Sequence, residues 1–278
     1  MLIVLSVFIL IAVGVLIRGL WENNHPEITH AVIKSDRLPN SFKGYKIAQV
    51  SDLHNAKIGG DNQRVLDLLK DANPDIIVFT GDIVDSRKTD FDVAVDLAKR
   101  AEEIAPCYYV CGNHESRLTN YQTLVKRLEG VGVTVLQNQK IRLELDGEYI
   151  TLLGIVDPAF YNEYPSEQDD EYVATTLANL LRSDDGFRVA LSHRPELINT
   201  YAQFDLDVVF SGHAHGGQFI LPLIGGLFAP NQGLFPDYTQ GVHTVENTKL
   251  VISRGVGNSA FPFRFNNRPE VVLVEFQK

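Results

Sequence analysis

Eight residues in this 278-residue chain have side chains suited to binding metal ions or moving protons, and they recur at one kind of place. Asp52 and His54 follow the apolar run Tyr45–Ser51, and Asp82 follows Asp75–Thr80. Asn113 and His114 follow Cys107–Cys111, His193 follows Arg188–Ser192, and His213 and His215 follow Asp207–Ser211. Each run reads as a buried strand. Each polar cluster therefore stands at a strand's carboxyl end, where layered α/β sheets bind ligands. Asp52 and His54 are two apart, which in extended chain turns both side chains to one side. Taken singly, each cluster has an ordinary reading: a polar turn, a helix cap at Asp82, a turn residue at Asn113, a satisfied core histidine at His193. Together they hold five of the chain's eight histidines, a concentration that scattered surface histidines would not give.

Imidazoles, carboxylates and one amide oxygen suit borderline divalent metals such as Mn, Fe or Zn. They do not make a thiolate zinc site or an all-oxygen calcium or magnesium site. Asp52, His54, Asp82, Asn113, His193, His213 and His215 are too many ligands for one ion. They fit two ions roughly 3.5–4 Å apart with one carboxylate bridging. Such a pair lowers the pKa of a shared water and holds a phosphate for in-line attack. No Gly-x-Ser-x-Gly or cysteine nucleophile motif competes with that reading.

The elements that must position these residues follow from periodicity. Short apolar runs alternate with helical stretches at Asp61–Ala72, Asp90–Ile104 and Leu118–Leu128, which predicts strand–helix units. Lys140–Leu145 and Glu148–Leu153 read as a hairpin turning at Asp146-Gly147. Asp157–Asp170 reads as a loop, Tyr172–Leu181 and Pro195–Ala202 as helices, and the last third as mostly β. Leu221–Tyr238 is a non-periodic stretch with many apolar residues. It is expected to pack on the core, the alternatives being an acyl-chain groove or contact with a bilayer. Cys107 and Cys111 share one strand roughly 13 Å apart, too far for a disulfide, and are read as free thiols. The formal net charge of −10 argues against broad nucleic-acid binding, which needs a basic footprint.

Leu2 to Ile17 carries no charge and is almost wholly apolar. As helix, residues 1–21 are about 30 Å long, so the expectation is a single-pass anchor to the cell membrane, with Arg18 and Trp21 at its interface. No basic residue precedes the run and no small-residue cleavage site follows it, as a signal peptide would require. The basic residues Arg18, Lys34, Arg37, Lys43 and Lys46 all follow the span, which places the catalytic part on the cytoplasmic side. Residues 22–40 are read as a juxtamembrane linker with an edge strand, and 41–278 as the globular domain, acting as a monomer.

The set Asp52-x-His54, Gly81-Asp82, Gly112-Asn113-His114-Glu115, His193 and Gly212-His213-x-His215, in this order, resembles the calcineurin-like metallophosphoesterase superfamily. The resemblance implies a four-layer αββα sandwich of the α/β class with a dinuclear site at one edge. By motif it implies Asp52, His54 and His215 on one metal, Asn113, His193 and His213 on the other, and Asp82 between them. It also implies His114 as the catalytic histidine that contacts phosphate and protonates the leaving oxygen. His213-Ala-His-Gly-Gly-Gln218, Arg254-Gly-Val-Gly-Asn258 and Asn267-Arg-Pro-Glu270 are similar to the membrane-associated bacterial branch, which includes UDP-2,3-diacylglucosamine hydrolase-like enzymes. Arg194 and Arg254 are candidate contacts to substrate phosphate. The expected activity is hydrolysis of a phosphoester or pyrophosphate bond in a small-molecule or lipid-linked substrate. The alternatives are a nuclease or cyclic-nucleotide phosphodiesterase on the same site, or a non-catalytic, membrane-tethered metal-binding protein.

Overall fold

The computed structural model describes residues 2–162, 166–182, 186–258 and 261–278. In chain order, α1 (Leu2–Asn23) leads to β1 (Glu27–Lys34) and β2 (Lys46–Val50). Then follow α2 (Gln63–Ala72), β3 (Ile76–Thr80), α3 (Phe91–Glu102), β4 (Cys107–Val110), α4 (Asn113–Ser116), α5 (Tyr121–Glu129) and β5 (Thr134–Val135). The second half holds β6 (Gln139–Leu145), β7 (Glu148–Gly154), α6 (Glu167–Leu180), β8 (Phe187–Leu191), α7 (Ile198–Ala202) and β9 (Val208–Ser211). Two short hairpins come next, β10 (Ile220–Leu221) with β11 (Gly225–Gly226) and β12 (Phe228–Ala229) with β13 (Gly233–Leu234). The described chain closes with β14 (Gly241–Val245), β15 (Thr248–Ile252) and β16 (Glu270–Gln277).

Two six-stranded sheets form, ordered β1-β16-β2-β3-β4-β5 and β14-β15-β9-β8-β7-β6. Strands β2 to β5 run parallel in the first, and β7, β8, β9 and β15 in the second. Strand alternation makes the layers. In β2, Ala48 and Val50 pack with Val65, Leu66 and Leu69 of α2, while Ile47 joins Val78, Val189 and Phe210 between the sheets. On the far side, Ala190, Val209 and Leu250 meet Val173 of α6 and Ile198 of α7. The result is the expected helix–sheet–sheet–helix sandwich. The carboxyl ends of β2, β3 and β4 come together with those of β8 and β9. Gln49, buried in that inter-sheet layer, donates to Thr80 Oγ1 at 2.8 Å and to Ser211 O at 2.8 Å, tying the sheets just beneath the site.

Most short elements fall where periodicity predicts them. The β6–β7 hairpin turns at Asp146 and Gly147, both with positive φ. Both cysteines are free and buried. Three readings change. Helix α6 begins at Glu167, inside the stretch read as a loop, because Ser166 caps it by accepting from Gln168 N; residues 163–165 lie outside the described residues. Asn113 to Ser116 wind into a helical turn of their own. The stretch 221–238 packs on the core only in part: Ala229 and Tyr238 join the cluster beneath α6 and α7, while Leu223, Ile224, Phe228, Leu234 and Phe235 are exposed.

The single-pass anchor is corrected as well. Among the described residues no helix is long and apolar enough to cross a membrane. The carboxyl end of α1 is spent on the domain. Glu22 is buried and pairs with Arg18 at 2.9 Å, Asn23 Nδ2 donates to Pro262 O, and a Cβ on Gly19 would collide with the Phe263 ring.

Candidate metal centre

Tight turns, rather than strand alternation, bring the ligand-type residues together. Asp52 and His54 have φ of 53° and 47°, Asp82 has 51°, and His213 and His215 have 67° and 48°. All are in the left-handed region, so each chain reverses direction directly after its strand. The extended geometry expected for Asp52 and His54 is therefore corrected. Non-glycine residues there cost of order 1–3 kcal/mol each and persist where the surroundings impose them. Those surroundings are visible: Asp52 N donates to Gly81 O and His54 N to Asp82 O, each at 3.0 Å. Gly81 allows the loops this approach, since a Cβ there would lie 2.7 Å from both Gly112 N and His193 Nδ1.

Two buried clusters result. In the first, His54 Nε2 lies 3.2 Å from His215 Nε2, which lies 3.4 Å from Asp52 Oδ1. In the second, Asp82, His193 and His213 bring ligand-type atoms within 4.8 Å of one another, with Asp82 Oδ2 3.2 Å from His193 Nε2. Asp82 also groups with His54 and His114, so its carboxylate stands between the clusters, 3.7 Å from His54 Nε2. Cis ligands at ordinary metal–nitrogen distances are about 3 Å apart, close to these spacings. His193 Nε2 and Asn113 Oδ1 are buried without a hydrogen-bond partner. A buried polar atom left unpaired costs about 1–3 kcal/mol unless a ligand satisfies it. The donor set thus fits two divalent ions. The 3.2 Å approach of His193 Nε2 to Asp82 lacks hydrogen-bond geometry, so it is better read as two ligands converging than as a closed pair.

Surrounding groups fix the rings. His193 Nδ1 donates to Thr80 O at 2.7 Å, leaving Nε2 for the centre. His213 Nε2 lies 3.0 Å from the Asn231 amide, which leaves Nδ1 free. His213 N donates to both oxygens of Asp52 at 3.1 Å. His114 N donates to Asp82 Oδ1 at 2.7 Å, and His114 Nδ1 accepts from Ser86 N at 3.2 Å. That contact sets the neutral ring as the Nε2–H tautomer, a hydrogen-bond donor.

Burial pushes His54 down to about 3 and holds His213 and His215 well below the usual imidazole range. Burial raises Asp52 to about 6. Burial also opposes charge on His193, but the carboxylates of Asp82 and Asp52 outweigh it and lift the ring to about 10. In the metal-free protein His193 is therefore charged at pH 8, while Asp52 is ionised and the other three rings are neutral. A charged ring has no lone pair at Nε2. Mn²⁺ uptake at pH 8 should therefore release about one proton, and affinity should rise with pH toward 10. Titration calorimetry in buffers of different ionisation enthalpy measures this; uptake with no proton released, or affinity falling from pH 6 to 9, would contradict it.

The structure brings together every ligand candidate that can be placed by a ligand-atom distance, and sets Asn113 beside them at the start of α4. It engages both candidate arginines elsewhere. Arg194 makes a buried bidentate pair with Asp157 at 2.7 and 2.8 Å. Arg254 pairs with Glu270 at 2.7 Å and Glu27 at 2.8 Å. Both guanidiniums thereby brace loops around the centre.

Two contributors escaped the sequence reading, and a third, Glu115, entered it only as the last residue of the Gly112–Glu115 motif, with no role. Glu115 is fully buried and accepts from the backbone N–H of Asp82, Gly112 and Val84, holding the Asp82 turn in place. It directly follows His114, and that adjacency was its one signal. Asn231 reaches His213 from the turn of the β12–β13 hairpin. Arg264, wholly buried, donates to Arg254 O at 2.7 Å and to Gly257 O, and its Nη2 lies 3.3 Å from His215 Nδ1. Nothing in the spacing marks the last two.

A sequence model described as "Calcineurin-like phosphoesterase" matches residues 45–217, more than half of the chain and all five strand ends. The chain belongs to the calcineurin-like phosphoesterase family. It is 32% identical over 256 residues to the "Uncharacterized metallophosphoesterase YkuE" of Bacillus subtilis (strain 168), covering 89% of this chain and 84% of that protein. It is 29% identical over 241 residues to the "Phosphodiesterase YaeI" of Escherichia coli (strain K12), covering 83% of this chain and 82% of the other. Among solved structures, TT1561 of Thermus thermophilus has the same fold, with a TM-score of 0.54 at 12% identity over 76% of this chain and 90% of that one. Family membership makes the chain a metal-dependent phosphoric ester hydrolase that uses two divalent ions.

Proposed function

We propose that this hydrolase is a phosphodiesterase or pyrophosphohydrolase acting on a membrane-associated or nucleotide-linked substrate. The observation that carries the dinuclear reading is the position of Asp82, which belongs to the cluster with His193 and His213 and also groups with His54 of the other cluster. In this reading Asp52, His54 and His215 hold one ion, Asn113, His193 and His213 hold the other, and Asp82 holds both. When bound, the ions supply Lewis acidity toward the phosphoryl group and lower the pKa of a nearby water. The chain's own residues do the rest. Asp82 keeps the ligand loops in register through His114 N, and Glu115 keeps Asp82 in its turn. His114, with its proton on Nε2, donates to the phosphoryl or leaving oxygen. Arg194 and Arg254 act as braces, so His114 and the ions meet the substrate's charge.

The membrane part of the reading is supported by α1. Its exposed residues Val4, Leu5, Val7, Leu10, Val13 and Ile17 face all directions around the helix. A helix apolar all round requires an apolar medium, so the projecting end is proposed to insert into lipid without the length to cross it.

The test is turnover by the full chain with Mn²⁺, Fe²⁺ or Zn²⁺ on bis-p-nitrophenyl phosphate, cyclic nucleotides, a UDP-linked diacyl lipid and DNA. Hydrolysis of diester or pyrophosphate substrates with DNA left intact is expected. A metal-loaded protein inert on every phosphoester would instead favour a membrane-tethered binding protein.

A further inference from the structure

The two hairpins after β9 form an apolar rim beside the metal centre. From Gly216 to Pro236 the chain has no Asp, Glu, Lys or Arg. Leu223 and Phe235 occupy left-handed turn positions with φ of 68° and 55°, where Gly or Asn would fit without strain. Yet Leu223 is wholly exposed, and Ile224, Leu234 and Phe235 are each more than half exposed. Folding gains nothing from bulky apolar groups at strained positions in water.

The rim continues into α1. Phe219, at the base of the first hairpin, packs against Phe261 and Phe263 with ring centroids 5.4 and 6.1 Å apart. Ile220 N donates to Phe265 O, and Phe263 packs on Gly19 of α1. Whatever surrounds α1 therefore meets the rim. A protein groove covers one face of a helix, whereas the described apolar residues of α1 before its docked carboxyl end are exposed all round. A lipid surface matches both the helix and the uncharged tips.

We propose that Leu223, Ile224, Leu234, Phe235 and Phe261 are a second lipid-contacting surface, which together with α1 seats the metal centre at the lipid surface. This rests on the reading that α1 inserts into lipid. The second hairpin carries the device that makes the seating matter: Asn231, in its turn, touches both His213 and Glu196. The His213 side of the centre thus adjoins the hairpin whose strand-end residues Leu234 and Phe235 enter that layer, so a phosphoester held in the layer lies next to the centre. With no charge on the tips, contact should be insensitive to salt and need no anionic lipid.

The full chain, reconstituted into phosphatidylcholine vesicles, tests this with an environment-sensitive fluorophore on single introduced cysteines; Cys107 and Cys111 are buried and do not compete. The positions are Leu234→Cys on the rim, Val7→Cys on α1 and Lys99→Cys on α3, an exposed residue of the opposite helical layer. Blue-shifted emission, quenched by spin-labelled lipid, is expected at 234 and 7 and not at 99. A shift at 7 with 234 behaving like 99 overturns the rim and leaves α1 in lipid. Water-like emission at both 7 and 234 overturns the rim together with the α1 reading. A shift at 234 that needs high protein concentration and no vesicles marks self-association and also overturns it.

Discussion

Asp82→Asn should lower kcat/KM on an aryl phosphodiester about 10³-fold or more and cut bound metal from two ions per chain to one or none. Asp82 is the carboxylate of the second cluster that also reaches the first, with Oδ2 3.2 Å from His193 Nε2 and 3.7 Å from His54 Nε2. Asparagine keeps the shape and the oxygen that accepts from His114 N. It removes the charge that two cations would share. Each tenfold in rate is about 1.4 kcal/mol, and metal stabilisation of a phosphoryl transition state is worth several. In the metal-free variant, His193 loses its main source of added basicity and should titrate nearer to an ordinary imidazole. Metal analysis, kinetics and a urea midpoint on one preparation separate these effects. A variant that binds two ions and turns over at the wild-type rate would remove Asp82 from the centre.

His114→Asn should lower kcat about 10²–10⁴-fold, the range for loss of a positioned proton donor, and leave metal content near two. The second half follows from geometry. Ser86 N holds His114 Nδ1, and the ring meets His54 edge-on at 4.5 Å between centroids, beside the first cluster rather than within it. Burial lowers the pKa of His114, with the charges on nearby Arg117 and Arg87 acting in the same direction. The metal-free ring is therefore largely neutral at pH 7, its Nε2–H serving as a hydrogen-bond donor, and proton transfer to a leaving oxygen draws on the imidazolium form. The loss should be smaller for a p-nitrophenolate leaving group, which departs without a proton, than for an alkoxide. Equal losses on both would limit His114 to binding the phosphoryl oxygens. Loss of one metal in the variant would make it a ligand.

The ligand set was legible because each member comes shortly after a short, largely apolar strand, and because parallel strands deliver their carboxyl ends to one edge. The layers were legible for a related reason: β2 puts Ile47 toward one side and Ala48 and Val50 toward the other, and its partners repeat the alternation. What the sequence hid is conformation and reach. Asp52 and His54 satisfied an alternation rule yet meet through left-handed turns, since the contacts that impose such turns come from Gly81 and Asp82 in another loop. Arg264 and Asn231 lie 49 and 18 residues from the histidines they touch, with no periodicity to link them. Arg194 and Arg254 looked available because their partners, Asp157 and Glu27, lie 37 and 227 residues away in sequence. Helix α1 reads as a full span until the contacts of Gly19, Glu22 and Asn23 show its carboxyl end docked on the domain.

The most direct measurement is electron paramagnetic resonance of the full chain titrated with Mn²⁺, alongside metal stoichiometry. Two carboxylate-bridged Mn²⁺ ions are predicted. They should give two ions per chain at saturation and an exchange-coupled spectrum that disappears in Asp82→Asn. Saturation at one ion, or two ions with the spectrum of isolated Mn²⁺, would contradict the shared-carboxylate centre.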